Sequence, residues 1–128
     1  MYSPRSPKSQ SDYEQFKKTH QDTPERLHYF DLSNETIIRE FTHWVIIKNR
    51  FPYDNMAHTN DLLVARESSP DLYSASKEAQ TEFREIMQLL AAEGCYDAKI
   101  ENFPKATSAK AQFHVHLVLW HGSQAGKA

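Results

Sequence analysis

The sequence predicts an α+β domain, a mostly antiparallel sheet of about five strands with one principal long helix. Three stretches carry that expectation. Residues 112–120 read Gln-Phe-His-Val-His-Leu-Val-Leu-Trp. On a strand, with its period of two, Phe113, Val115, Leu117 and Leu119 share one face, while His114, His116, Val118 and Trp120 share the other. Residues 74–93 place Ala79, Phe83, Ile86, Met87 and Leu90 three or four positions apart, one continuous helical stripe. Residues 44–47, Trp-Val-Ile-Ile, form a near-continuous apolar run of the kind that central strands carry.

The remaining elements are taken in chain order. Residues 1–11 hold Ser-Pro twice with Lys8, Ser9 and Gln10, a composition read as disordered. Residues 12–21 are either a short polar helix, with Tyr13, Phe16 and Lys17 on a weak face, or more tail, and Pro24 ends any such helix. A short strand or extended lead-in is expected over 27–32, and Ser33-Asn34-Glu35 has turn chemistry. Strands follow over 36–41 and 43–51, the latter ended by Pro52, which has no N–H for a ladder. A third strand is expected over 61–66. The long helix starts after the Ser68-Ser69-Pro70-Asp71 loop and stops at Gly94, where a left-handed cap is wanted. A strand over 95–101, a loop over 103–111 and the 112–120 strand complete the domain. The expected organisation is a tail at 1–22, disordered or weakly helical, a domain at 23–121, and a flexible tail at 122–128.

Composition bounds the function. A chain of 128 residues suits one domain with a single core. The formal charge of −2 gives no basic excess to argue for polymeric nucleic acid or an anionic membrane. A single cysteine, Cys95, excludes an internal disulfide and a CxxC zinc site. Three glycines leave no P-loop or dinucleotide fingerprint. No run approaches the ~20 apolar residues of a membrane span, and the N-terminus has no signal-peptide core, so a cytoplasmic protein is expected.

The chemistry is expected at His114 and His116, two imidazoles on one strand face roughly 7 Å apart along the chain. His-x-His on a strand is also a familiar pair of metal ligands, with further ligands to come from Asp61, His58 or Cys95. No spacing fixes those, and no metal or other cofactor is expected. His20, His28, His43 and His58 show no ligand spacing. His121, just past the strand, is a lesser candidate to assist a leaving group.

The order of features, with Asn102, a polar loop over 105–110 and Phe113-His114-Val115-His116-Leu117-Val118, resembles the histidine-triad (HIT) superfamily of nucleotide hydrolases and transferases. The Asn49-Arg50-Phe51-Pro52 stretch is similar to its galactose-1-phosphate uridylyltransferase branch, and the likeness spans roughly 36–120. The resemblance implies a HIT-like fold, a homodimer, and a nucleotide or nucleoside phosphate conjugate as ligand. It places His116 at the nucleophile, attacking an α-phosphorus to form a nucleotidyl-histidine, with His114 donating to the same phosphate. Asn102, Ser108, Lys110 and Gln112 become phosphate contacts, since donors stabilise charge spread over phosphoryl oxygens. Asn49 falls on a ribose-contacting position.

Two positions depart from the family pattern. The third triad position is Val118, which cannot hydrogen-bond. The family's other histidine, at the start of the third strand, falls on Asp61, with Asn60 the neighbouring choice. A carboxylate at Asp61 beside His116 would favour the imidazolium and anion binding over attack. Two readings therefore stand: a hydrolase or nucleotidyltransferase, and a catalytically weakened nucleotide-binding or regulatory module.

Overall fold

The computed structural model describes residues 3–20, 30–103 and 112–123. Its strands are β1 (Ile37–Glu40), β2 (Trp44–Lys48), β3 (Ala57–Ala65), β4 (Ala98–Ile100) and β5 (His114–Trp120). They form a five-stranded sheet in the order β1-β2-β3-β5-β4, with every pairing antiparallel. Among the described residues two α-helices accompany it, α1 (Pro7–Thr19) and α2 (Lys77–Glu93). The expected α+β class and the antiparallel five-stranded sheet are both present.

α2 forms as its stripe requires. Ser76 caps the N-terminus by accepting from the Ala79 N–H at 3.1 Å, and Gly94 closes the other end in the left-handed region at φ 70°. Ala79, Phe83, Ile86 and Leu90 pack on Trp44, Ile46, Leu63, Val115 and Leu117 from β2, β3 and β5, and on Phe113 just before β5. The indole N–H of Trp44 donates to the Ala79 carbonyl at 2.8 Å, so its polar atom is satisfied where it is buried.

The other sheet face is also covered. Val45, Ile47, Leu62 and Val64 form a second cluster, over which Phe30 and Leu32 pack. Burial on both faces explains the unbroken apolar runs of β2 and β3. The faces alternate through the register: Leu62 lies opposite His116, Val64 opposite His114 and Asn60 opposite Val118. Both histidines therefore stand on the face away from α2.

Three expectations need correction. Residues 7–11 are helical rather than disordered. Ser6 accepts from the Ser9 N–H at 3.2 Å and Pro7 occupies the first turn, so the Ser-Pro pair is helix-start chemistry. Within 27–32 only the strand alternative fails, since Phe30 and Asp31 are not strand, and the expected turn begins at Leu32 as a single 3-10 turn, Leu32–Asn34, its Ser33 and Asn34 side chains bonded to Asp31; residues 27–29 lie outside the described residues. β3 begins at Ala57, before the expected Asp61, which brings Asn60 into the sheet.

Candidate functional site

β5 positions the pair of imidazoles. The His114 and His116 ring centroids are 5.8 Å apart, and His116 is only 4% exposed. Burial pushes the His116 pKa down to about 3, with His114 and Arg5 adding to the shift. Burial also lowers that of His114. Both rings are thus neutral at physiological pH, which leaves each with one N–H and one lone pair. On His114, Nδ1 lies 3.2 Å from the Gln112 carbonyl. A carbonyl only accepts, so Nδ1 carries the proton and Nε2 the lone pair.

His116 is held by an amide and a ring. Its Nδ1 is 3.2 Å from Nδ2 of Asn60 and 3.4 Å from Oδ1 of the same side chain. Asn60 is fixed in turn: its Oδ1 accepts from the Tyr53 N–H at 3.0 Å and from Asn49 Nδ2 at 2.9 Å, and its Nδ2 donates to the Asp61 carbonyl at 3.2 Å. The Tyr53 ring stacks on His116 with centroids 4.3 Å apart and 15° between planes. Asn102 Nδ2 donates to the Tyr53 hydroxyl at 3.0 Å.

The residues proposed from sequence divide accordingly. His114, His116, Asn49 and Asn102 are brought together, the last two through Asn60 and Tyr53. Gln112 lies in the same region, but its amide bonds to backbone, accepting from the Phe30 N–H at 2.8 Å and donating to the Ala65 carbonyl at 2.6 Å. It ties chain segments together, with one N–H of the amide beyond these two bonds. Ser108 and Lys110 lie outside the described residues.

Asp61 is not beside His116. It lies opposite Lys48 and Leu117 on the α2 face, where its Oδ2 accepts from the Tyr96 hydroxyl at 2.5 Å. A strand turns successive side chains to opposite faces, so Asn60, the neighbouring choice, takes the place near the imidazole. His121 donates through Nε2 to the Asp54 carbonyl at 2.8 Å. Among the described residues, no group of three or more His, Cys, Asp or Glu side chains is placed to hold a metal ion.

No family model matches the chain, and no curated protein matches it. A solved structure does. The chain is similar in fold to the crystal structure of HTC1, with a TM-score of 0.52 and 19% identity over 91% of this chain and 74% of that one. At that identity the likeness is one of fold.

Sequence reasoning missed Tyr53 and Arg5. Tyr53 directly follows the Phe51-Pro52 strand stop, where no side-chain period points to a partner. Arg5 belongs to the segment read as disordered. Its guanidinium lies 5.0 Å from the Tyr53 centroid and 4.3 Å from that of Tyr13. The available signal was the Ser6-Pro7 helix start, which orders the residue just before it.

Proposed function

We propose that the His114–His116 face binds the phosphate of a nucleotide or nucleoside phosphate conjugate, and that the protein is a HIT-like hydrolase or nucleotidyltransferase acting at the α-phosphate through His116. The observation that carries this reading is the neutral, buried His116 ring whose Nδ1 is gripped by an oriented carboxamide. Such a grip fixes the direction in which Nε2 presents itself. With Nδ1–H donating to Asn60 Oδ1, Nε2 offers a lone pair to phosphorus. The P–O or P–N bond to the leaving group breaks as N–P forms, and water or another acceptor then opens the nucleotidyl-histidine. His114 beside it, also neutral, completes the pair that would flank a phosphate.

A second reading, a nucleotide-binding module without turnover, has its own support. The shorter contact has Asn60 Nδ2 donating to Nδ1, which leaves the proton on Nε2 as a hydrogen-bond donor to a phosphate oxygen. Val118, fully buried at the third position, adds no polar group.

The homodimer implied by the family resemblance and a cytoplasmic location belong to the same proposal. No helix among the described residues is long and apolar enough to cross a membrane. Sedimentation equilibrium tests the dimer.

Incubation with an adenosine phosphoramidate and a diadenosine polyphosphate, followed by product chromatography, tests the activity. Turnover by the wild type that His116→Ala abolishes supports the enzyme. Absence of product, with adenosine monophosphate still raising the melting temperature, leaves the binding module.

A further inference from the structure

We infer that the N-terminal arm is part of the ligand site and that Arg5 is its anion-binding residue, contacting the phosphate of a ligand held at the Tyr53–His116 stack. This rests on the phosphate-binding reading and adds a source of positive charge for it. Two neutral histidines and two carboxamides offer dipoles and N–H groups, but no net charge to an anion.

The arm is built against the strand-end loop. Ser6 gives both its backbone N–H and its hydroxyl to the Asp54 carboxylate, at 2.7 Å each. Ser9 Oγ donates to the Pro52 carbonyl at 2.9 Å. Asn55 holds the approach from the other side, its N–H on the Pro4 carbonyl at 2.9 Å and its Nδ2 on the Ser3 and Arg5 carbonyls at 2.8 Å. Tyr13 and Phe16 of α1 then pack on Phe51, with centroids 5.4 and 5.3 Å away. So many contacts across nearly fifty residues of chain make the arm a fixed wall of the site.

What the wall presents is Arg5. Its Nε donates to the Phe51 carbonyl at 2.8 Å, and among the described residues its Nη1 and Nη2 meet no acceptor and it forms no ion pair. Arg39 pairs with Glu93, Arg50 with Glu35 and Arg66 with Glu40, and Arg84 is exposed on α2, on the other side of the sheet. Lys48 lies opposite Asp61, on the α2 side of the sheet. A guanidinium lodged against the Tyr13 and Tyr53 rings keeps its charge while its outer edge stays available. That edge is the fork that meets phosphate oxygens in a plane.

The test is calorimetric titration of the full chain with adenosine monophosphate and with adenosine, for wild type, Arg5→Ala and Arg5→Lys. Arg5→Ala should weaken monophosphate binding about tenfold or more and leave adenosine binding within about twofold, because only the charged hydrogen bonds are lost. Arg5→Lys should recover part of the loss, and added salt should weaken the monophosphate less in Arg5→Ala than in wild type. Monophosphate binding unchanged in Arg5→Ala overturns the inference and leaves the phosphate-binding reading in place. Equal loss of both ligands overturns it too, since Arg5 would then only seat α1. A wild type that binds monophosphate no better than adenosine ends both.

Discussion

Asn60 Nδ2 lies 3.2 Å from His116 Nδ1, and backbone groups decide which way that carboxamide faces. The Tyr53 N–H can only donate, so it selects the oxygen; the Asp61 carbonyl can only accept, so it selects the nitrogen. The amide cannot turn to suit the imidazole. The imidazole must suit the amide, and its tautomer follows from two peptide groups on β3 and the preceding loop.

The shorter of the two contacts predicts that free wild-type protein holds His116 as the Nε2–H tautomer, so the proposed attack through Nε2 requires the ring to pass to the Nδ1–H form, with Asn60 Oδ1 accepting, once ligand is bound. Long-range ¹⁵N–¹H correlation spectra would show Nδ1 as the unprotonated nitrogen. Asn60→Asp replaces the donor with a carboxylate, which moves the proton to Nδ1 and raises the His116 pKa. A wild-type spectrum with Nδ1 protonated would mean that the 3.4 Å contact to Oδ1 prevails.

Stability should fall on acidification in a window set by the histidines. Their folded pKa values lie below the ordinary ~6.5, so below that value the unfolded chain binds more protons than the folded one. The contribution is fully present above about pH 6.5 and is lost as pH falls toward about 3 for His116. Each neutral histidine gives a slope of up to about 1.4 kcal/mol per pH unit. Urea unfolding of wild type and His116→Gln between pH 7 and pH 5 checks this; equal slopes in the two proteins would contradict it.

Tyr96→Phe should destabilise the fold by about 1–3 kcal/mol at neutral pH, because it strands the buried Asp61 carboxylate. Burial already raises the Asp61 pKa, opposed by the Tyr96 hydrogen bond and by Lys48. Without the hydroxyl the pKa rises further, so the deficit should shrink as the pH falls and Asp61 takes up a proton. Chemical denaturation at neutral pH and near pH 4 reads both effects. A constant deficit would contradict the coupling.

Val118→His should cost stability rather than restore a triad. Val118 is completely buried, facing Asn60 on one side and Ala98 on the other. A larger, polar ring there overpacks the sheet and brings N–H groups without partners, a loss of about 1–3 kcal/mol. A urea midpoint at or above that of wild type would show that the space exists.

The fold was legible where side-chain period decides structure. Ala79, Phe83, Ile86 and Leu90 can share a face only on a helix, and Phe113, Val115 and Leu117 only on a strand, so α2 and β5 could be placed from spacing alone. The separation of the two histidines from the core face came from the same rule. The site was less legible where partners come from distant segments. Asp61 and Asn60 are adjacent in sequence, and choosing between them needs the register of β3 against β5, which a one-residue shift reverses. Tyr53 reaches His116 from a turn, and no periodicity governs a turn. Arg5 was hidden by composition, since Ser-Pro pairs suit both disordered chain and a capped helix start, and only Asp54 and Pro52, far along the chain, select the helix. Ser108 and Lys110 lie outside the described residues, so their place as phosphate contacts stays with the family resemblance.

The most direct test of His116 as nucleophile is intact-mass spectrometry of protein acid-quenched during incubation with an adenosine phosphoramidate. The proposed mechanism predicts a mass increase of one adenylyl group on the wild type, mapped to His116 and missing from His116→Ala. Wild type that stays at its unmodified mass while product accumulates, or an adduct that persists in His116→Ala, would contradict it.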